Sequence, residues 1–595
     1  MMRTNWEIRA REGSPATTSR TLQPVGDPMA ADKTSVAEQR KPKKPVPRKA
    51  ARTKLNPVKT AAKPVPKAAP RPDAKATPRP AARLAANPAP APRSAAKVAP
   101  EPAKRPAPRP RPGGGAKLRP VKASPQQVKL WNSLKPEQKM ALREREAVRL
   151  FAQGLERHRA GDLDAAARLY GQALLLDAKL PDVYNNFGVV LRRLGKGEAA
   201  VACYRRSLVL KPNNAGAYTN LGNVLREIGR LEVAAASHRR AVALAPDSAD
   251  AHYNLGLALR DLGDSDAALE EFAKALKLDP DHADCRWDRA LTLLQKGDFK
   301  EGFKEYEWRW KLKRAEPRNF KQPLWDGGAL KGKTILIHAE QGFGDMIHFA
   351  RYIPMVKAKG GNVVVEVAQP LARLFSTIPG VGQVVNQGAQ LPRFDVYAPM
   401  MSLARILGTT LETIPANVPY LKAPEAHGPQ LPATMSRARK VGIVWAGRAT
   451  HQNDANRSVT FTNFVELLGL PQTTVYSLQQ GPAADDIAAG GCQAFVLDIG
   501  RRMRDFADTA AVIEQLDLVI SVDTAVAHLA GALGKPVWVM LPYPGDWRWM
   551  LERDDSPWYP TMRLFRQQRP GVWDPVFERA RKALHDDILG REPKA

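Results

Sequence analysis

Long apolar runs and paired cysteines are both missing from this sequence of 595 residues. The sequence has no run of 18 or more apolar residues that could span a bilayer, so no transmembrane segment is expected. Residues 1–15 also lack the apolar core of a secretion signal. The three cysteines, Cys203, Cys285 and Cys492, are far apart and odd in number, which gives neither a disulfide framework nor a zinc-binding spacing. A reducing, cytoplasmic location fits these absences best.

Aromatic residues are nearly absent from residues 1–125, where Trp6 stands alone. This segment has 29 Lys and Arg against 7 Asp and Glu, so it carries +22 and leaves +9 of the net +31 for the rest of the chain. It also holds 24 of the 51 prolines. Such a composition cannot bury enough surface to order itself, and a disordered basic Pro/Ala-rich tail is predicted. Its role is either contact with an anionic polymer or surface, or that of a solubilising spacer.

A period of 34 residues runs through residues 147–314. Small residues at two positions of each unit let its helices pack closely, a bulky ring fills the gap to the next unit, and proline ends the second helix. The pattern resembles the tetratricopeptide repeat, with a fifth unit that decays, and residues 126–146 are expected to form a capping helix. The recurring residues are Gly154, Gly188, Gly222, Gly256 and Ala290; Ala166, Ala200, Ala234 and Ala268; Tyr170, Tyr204, His238, Phe272 and Tyr306; Pro212, Pro246 and Pro280.

An asparagine occupies the sixth position of three consecutive units, at Asn186, Asn220 and Asn254. A primary amide donates to a peptide carbonyl and accepts from a peptide N–H, so a ladder of amides would hold an extended peptide without reading its sequence. The ladder resembles that of the animal O-linked N-acetylglucosamine transferases, which implies a protein or peptide in the repeat groove. Alternatively, the three amides satisfy neighbouring helix groups.

After Gly328 the 34-residue period gives way to short apolar runs that alternate with amphipathic stretches. This pattern predicts parallel sheets flanked by helices, in one Rossmann-like lobe over residues 332–435 and a second over 440–590. Two such lobes around a cleft make the GT-B architecture. A helix over 574–588 is expected to fold back across the lobes. The predicted strands are 334–338, 362–367, 383–386, 396–399, 441–446, 474–478, 494–498, 518–521 and 536–540.

Ligands of open parallel sheets bind beyond the C-terminal ends of strands, where the first candidate loop, 340–345, lies. Gly342 and Gly344 let the backbone approach a ligand, and the helix start that follows favours negative charge. The sequence Gly342-Phe343-Gly344-Asp345 resembles the Gly-x-Gly-Asp loop of the ADP-heptose heptosyltransferase family. That resemblance implies that Asp345 is the general base, which would take a proton from an acceptor hydroxyl. Alternatively, Asp345 is a charge partner of the helix terminus.

Two further loops belong to the second predicted lobe. Arg448 and Arg457 follow its first strand, and their guanidinium groups suit a diphosphate, although a solvated charged loop has the same composition.

The last loop runs through Asp523, Thr524 and Ala525 to His528 and resembles the heptosyltransferase Asp-Thr-Gly-x-x-His motif. Backbone N–H groups, the Thr524 hydroxyl and His528 would meet the phosphates there. Ala525 departs from the pattern, because its methyl group stands where the family has glycine and would crowd a pyrophosphate. His528 has the alternative role of a packing residue.

Two other segments of the second lobe carry weaker predictions. The segment 476–481, with Gln479, follows a strand and would contact a base or sugar. The tryptophans at 547, 549 and 558 are predicted to lie in the core or at the lobe closure.

Neither metal nor cofactor is expected. The Asp-x-Asp pairs Asp264/Asp266 and Asp279/Asp281 lie in turns of the repeat region and are predicted to cap helices. The GT-B enzymes that the lobes resemble use helix dipoles and basic residues instead of a bound cation.

The sequence therefore favours a glycosyltransferase that takes a nucleotide-sugar on the second lobe and an acceptor protein near Asp345. A non-catalytic tetratricopeptide adaptor with a degenerate transferase domain is the alternative, and Ala525 favours it. A nucleic-acid-binding protein led by the basic tail is a third hypothesis, but it leaves the cleft unexplained.

Overall fold

The structure is a computed structural model that describes residues 124–340, 342–424, 428–432, 438–451 and 453–589. The predicted disordered tail and its anionic partner therefore lie outside the described residues, apart from the last two positions of the tail. Within the described part of the chain, no helix is both long and apolar enough to cross a membrane.

Antiparallel helix pairs form a repeat array, which confirms the predicted tetratricopeptide superhelix. A short 3-10 turn, Glu307–Lys311, follows the last of these helices. The helices are α1 (Pro125–Ser133), α2 (Pro136–Arg159), α3 (Leu163–Leu176), α4 (Pro181–Arg193), α5 (Gly197–Leu210), α6 (Ala215–Glu227), α7 (Leu231–Leu244), α8 (Ala249–Asp261), α9 (Ser265–Leu278), α10 (Ala283–Lys296) and α11 (Phe299–Tyr306).

The predicted capping helix over 126–146 is not one helix. It breaks before Pro136, because proline lacks an N–H group and is favoured in the first turn of a helix, where none is needed. The second half of the range is therefore the start of α2, the first helix of the first repeat.

Asp264 does cap α9 by accepting from the Ala267 N–H at 3.1 Å, and Asp279 accepts from the Asp281 N–H at 3.2 Å just after that helix.

The recurring glycines make room for the recurring rings of their own units. A Cβ atom at Gly188 would lie 2.6 Å from the Tyr204 ring, and one at Gly256 would lie 2.5 Å from the Phe272 ring. Each of these rings thus packs against the first helix of its own unit, and the Tyr170 ring also lies 6.3 Å from that of Phe187 in the next unit, as predicted.

Gly188→Ala is expected to destabilise the protein by about 1–3 kcal/mol, because the added methyl group overlaps a buried ring. Gly171 in α3 is the matched control, since a Cβ atom there would meet nothing within 4 Å. Gly171→Ala should stabilise the helix by about 0.5–1 kcal/mol. Urea unfolding followed by circular dichroism measures both changes, and equal effects of the two substitutions would contradict this account.

The first lobe is a four-stranded parallel sheet with strand order β3-β2-β1-β4. The loop at the C-terminal end of β1 leads into α12. The elements are β1 (Thr334–His338), α12 (Phe343–Phe349), α13 (Ile353–Lys357), β2 (Asn362–Val367), α14 (Gln369–Phe375), β3 (Val381–Asn386), β4 (Val396–Pro399) and α15 (Leu403–Ile406).

The second lobe is a six-stranded parallel sheet with strand order β10-β9-β8-β5-β6-β7. Two parallel α/β lobes after a repeat array confirm the predicted fold class. The elements are β5 (Arg439–Val444), α16 (Asp454–Arg457), α17 (Thr462–Leu468), β6 (Thr473–Ser477), α18 (Asp486–Ala489), β7 (Val496–Asp498), α19 (Phe506–Glu514), β8 (Leu518–Val522), α20 (Ala525–Ala532), β9 (Val537–Leu541), β10 (Met562–Arg566) and α21 (Asp574–Leu589).

Two elements of this lobe differ from the sequence prediction. Strand β10 was not predicted, because Arg563 and Arg566 interrupt its short apolar run. Helix α21 packs within its own lobe, where the Phe577 ring lies 5.0 Å from that of Phe464 in α17, so the prediction that it crosses both lobes is wrong.

One continuous core joins the last repeat to both lobes. Phe299 and Phe303 of α11 lie in it together with the buried Trp547, Trp549 and Trp558 of the second lobe, as predicted for these tryptophans. The last repeat is thus built into the lobes.

Candidate active site between the lobes

The starts of α12 and α20 meet where the two lobes face each other. A Cβ atom at Gly344 would lie 3.0 Å from His528 Cδ2 and 3.5 Å from Ala525 Cα. A side chain at the second glycine of the loop would therefore crowd the contact between the lobes. The two motifs taken from the sequence come together, but the backbone that Gly344 approaches is α20 rather than a ligand.

Asp345 lies in the first turn of α12, with a quarter of its side chain exposed. Arg548 donates to its Oδ1 atom through Nη2, and to Asp546 Oδ1 through Nη1 at 2.8 Å. Burial raises the pKa of the Asp345 carboxyl, and the positive charge of Arg548 opposes that rise. The sequence predicts that the segment through Trp547-Arg548-Trp549, beyond the last major strand, lines the cleft, but it does not pair Arg548 with Asp345 or with Asp546.

A second buried arginine holds the other end of the same loop. Arg309, from the turn after α11, donates to both oxygens of Glu340 at 2.6 and 3.1 Å. The Met401 N–H donates to Glu340 at 3.0 Å, and Arg309 also reaches the Ser402 hydroxyl at 2.7 Å. The loop 340–345 is thus fixed at each end by an ion pair, although its Gln341 is not described.

The predicted phosphate-binding side chains of α20 are packed inside. The Thr524 hydroxyl is 2.9 Å from Ser521 Oγ and only 8% of the residue is exposed. The His528 ring stacks on Trp549 with centroids 5.0 Å apart. These two side chains are therefore buried against neighbouring residues and are not presented to a phosphate. The first N–H groups of α20 lack partners within the helix, and they belong to the half-buried Ala525 and Val526.

Asp523, just before that helix, is also largely buried. Burial and the neighbouring Asp546 raise the pKa of Asp523 to about 6. Its backbone carbonyl accepts from Arg457 Nη1 at 3.2 Å.

A tyrosine hydroxyl links the two helices. Tyr559 Oη lies 3.0 Å from Nδ1 of His348 in α12 and 3.0 Å from Nδ1 of His528 in α20. Both imidazoles are buried. A hydroxyl can donate one hydrogen bond and accept another, so it can serve both rings while they are neutral.

Acid is expected to weaken this contact between the lobes. Burial holds the pKa of His348 and of His528 well below the ordinary value of 6.5. The unfolded chain therefore takes up protons below that pH before the folded chain does. The stabilisation is complete above pH 6.5 and is lost below it, by up to about 1.4 kcal/mol per pH unit for each ring.

Thermal unfolding monitored by circular dichroism from about pH 7.5 to about pH 5 measures this loss. His528→Gln should make the fall of the unfolding temperature with pH less steep, whereas the same change at the exposed His585 should not. An unchanged pH dependence in His528→Gln would contradict the assignment.

The loop after β5 is held by its own side chains. A Cβ atom at Gly447 would lie 2.6 Å from Arg457 Nη2, and the Gly447 N–H donates to Ser458 Oγ at 2.9 Å. Arg457 is thus engaged, whereas Arg448 is exposed, with its guanidinium 5.5 Å from the Phe343 ring of the first lobe. Arg448 is the predicted cation that faces outward at the junction.

The segment 476–481 was predicted to contact a base or sugar. In the structure, its Gln479 and Tyr476 support the fold of the lobe instead. Gln479 Oε1 accepts from the N–H groups of Trp445 and Ala446 at 3.1 and 3.0 Å, which fixes the loop after β5. Tyr476 is fully buried.

The three asparagines of the predicted ladder lie in consecutive repeats, and each side-chain amide donates a hydrogen bond to a neighbouring group. Asn186 donates to the Asp182 carbonyl at 2.8 Å, and Asn254 makes the same bond within its own helix at 2.7 Å. Asn220 donates to Asn185 Oδ1 of the preceding unit at 3.1 Å. These bonds match the second interpretation of the ladder and leave each amide one further N–H.

Comparisons with known proteins agree with this division of the chain. Tetratricopeptide repeat models match residues 188–229, 219–282 and 253–311. The model of glycosyltransferase family 9 (heptosyltransferase) matches residues 481–540, which include β7, α19, β8 and α20. The chain thus joins tetratricopeptide repeats to a segment that is similar to family 9 glycosyltransferases. Among the described residues, no three His, Cys, Asp or Glu side chains are grouped so that they could hold a metal ion.

A curated relative matches about half of the chain. Protein FlbA of Caulobacter vibrioides is 30% identical over 313 residues, which are 48% of this chain and 52% of FlbA. The chain thus spans about half the length of this relative.

Solved structures align with about three-tenths of the chain. MamA is 27% identical, with a TM-score of 0.25 over 27% of this chain and 92% of its own. MamA from Desulfovibrio magneticus RS-1 is 25% identical, with a TM-score of 0.27 over 29% of this chain and 98% of its own. YrrB, described as a TPR protein with an unusual peptide-binding site, is 23% identical, with a TM-score of 0.26 over 30% and 93%.

Proposed function

We propose that this family 9-type chain is a glycosyltransferase that moves a sugar from a nucleotide-diphospho-sugar to an acceptor hydroxyl. The observation that carries the proposal is that Gly344, which precedes Asp345 at the start of α12, lies against the start of α20 in the matched segment 481–540. A carboxylate and a set of helix N–H groups then face the same junction.

The donor is proposed to bind the second lobe. Its diphosphate would meet the first N–H groups of α20, where the helix dipole favours negative charge, and the exposed Arg448. The acceptor would lie on the first lobe, beside Asp345. No metal or other cofactor is part of this proposal.

The reaction needs one base. Asp345 would take the proton of the acceptor hydroxyl as its oxygen attacks the anomeric carbon, and the bond from sugar to phosphate breaks as the nucleoside diphosphate leaves with the electron pair. Burial raises the pKa of Asp345, a direction that strengthens the carboxylate as a base, while the positive charge of Arg548 opposes that rise.

The repeat array is proposed to present a protein acceptor. The free N–H groups and oxygens of Asn186, Asn220 and Asn254 line up along consecutive units and would bond the backbone of an extended peptide. Asn220→Ala with Asn254→Ala should then weaken binding of the acceptor protein without changing donor binding.

Calorimetric titration of the full chain with UDP-, GDP- and ADP-sugars tests donor binding. Heat of binding is expected with at least one of them. Ala525→Gly should tighten that binding, because it removes the methyl group at the helix start. No heat with any of the three classes would overturn the proposal.

A non-catalytic adaptor is the second candidate, and the burial of Thr524 and His528 favours it. It predicts that the repeats bind a protein while the lobes give no heat with any nucleotide-sugar. The same titration therefore separates the two functions.

A further inference from the structure

The segment between β9 and β10, residues 542–558, rests on the repeat array and is called the docking segment below. The Tyr543 hydroxyl donates to the Leu262 carbonyl, in the turn between α8 and α9, at 3.0 Å. Gln295 Nε2 of α10 donates to the Gly545 carbonyl at 3.0 Å. Two consecutive repeats therefore hold the start of this segment through hydrogen bonds.

Aromatic packing fixes the rest of the docking segment to the last repeat. The Trp558 ring stacks on Phe299 with centroids 5.4 Å apart, and the Trp547 ring meets Phe303 edge-on at 5.6 Å. All four residues belong to the shared core. Because interiors are close-packed, the segment cannot shift without moving α11.

The docking segment also carries Arg548, which is 6% exposed and reaches Asp345 203 residues away in the sequence. Asp546 of the same segment accepts from the other guanidinium nitrogen, so that Arg548 is held between two carboxylates. In the described part of the chain, Arg548 is thus the only ion-pair partner of the Asp345 carboxylate. It belongs to a segment that the repeats hold.

We propose that Arg548 is a positioning residue for Asp345, and that the fourth and fifth repeats set its position through the docking segment. This inference rests on the proposed function for its catalytic consequence, but the coupling itself is a property of the fold. Binding of a protein to the repeats would then change the position of Arg548 relative to the Asp345 carboxylate.

The charges around Asp345 give the direction of the effect. Arg548 and the exposed His451 favour the ionised carboxylate, whereas burial, Asp546 and Glu340 disfavour it. Removing the charge of Arg548 would take away the stronger of the two favouring influences and raise the pKa of Asp345 further. The acidic limb of the pH–rate profile should therefore move to higher pH.

The coupling is tested in the full chain by hydrogen exchange of the α12 amides, which requires no activity. Arg548→Gln is expected to raise their exchange about tenfold, and Arg548→Lys less, because lysine keeps the charge. The double variant Gln295→Ala with Tyr543→Phe, which leaves Arg548 in place, should raise it about threefold. Arg501→Gln is the control, since Arg501 pairs with acids outside the site, and it should change nothing.

The catalytic consequence is tested with whichever nucleotide-sugar binds in the titration. In Arg548→Gln the acidic limb should move up by about one pH unit or more, and kcat should fall while KM for the donor is retained. Arg548→Lys should restore most of the wild-type profile.

Unchanged α12 exchange in either Arg548→Gln or the repeat-side double variant would overturn the coupling. A wild-type chain that transfers no sugar but shows the expected exchange changes would contradict the proposed function and leave the coupling intact. An active enzyme whose pH–rate profile is unaltered in Arg548→Gln would remove the positioning role.

Discussion

Asp345→Asn is expected to lower the rate of sugar transfer by about two to four orders of magnitude, while binding of the donor is retained. The asparagine side chain fills the same space, and its oxygen still accepts from Arg548. The amide cannot take a proton from an acceptor hydroxyl. Single-turnover transfer measured beside calorimetric donor titration separates the chemical step from binding.

Asp555→Asn is the matched control for this experiment. Asp555 also pairs with an arginine, Arg553, but it is exposed and lies outside the junction of the lobes. Its replacement should leave the transfer rate within about twofold, because exposed ion pairs contribute little. Full activity of Asp345→Asn would remove this carboxylate from the mechanism.

The repeats and strands were accessible from the sequence because each is a local pattern. The 34-residue spacing of glycine, alanine and rings fixes which helix faces pack together, and all nine predicted strands overlap observed ones. Strand β10 was missed since its arginines broke the apolar run. The prediction that α21 folds back across the lobes was wrong, because periodicity shows that a helix has an apolar face but not which surface covers that face.

The loops of the candidate site were also accessible, but their partners were not. Gly342, Gly344 and Asp345 could be assigned to a strand end from the sequence alone. The ion pairs that fix this loop join residues far apart in the chain, as in Arg548 with Asp345 and Arg309 with Glu340. No spacing rule connects such positions, so only the packed fold reveals them.

The burial of Thr524 and His528 has the same origin. Their motif placed them at a helix start, where exposed N–H groups invite an anion. Ser521 engages the Thr524 hydroxyl, and Tyr559 and the first-lobe Gly344 lie against His528, in a way that the motif itself does not specify. This leaves the backbone of α20 and Arg448 as the groups offered to a donor.

The shared core makes the repeats more than a detachable arm, and Phe299→Ala should show this. Phe299 is 1% exposed, lies at the start of α11 and stacks on Trp558 of the second lobe. Its truncation leaves a cavity at the point where repeat and lobes meet. We expect the free energy of unfolding to fall by about 3–5 kcal/mol, measured by urea titration.

The location of the loss distinguishes a shared core from two separate ones. In Phe299→Ala, amide exchange should accelerate in β8 as well as in α10, because both unfold with the same core. Leu175→Ala in α3, where the side chain is 72% exposed, should change the free energy of unfolding by less than about 0.5 kcal/mol. If exchange rose in α10 while β8 kept its protection, the repeats and the lobes would unfold independently, and the path from the repeats to Asp345 through the docking segment would lose its mechanical basis.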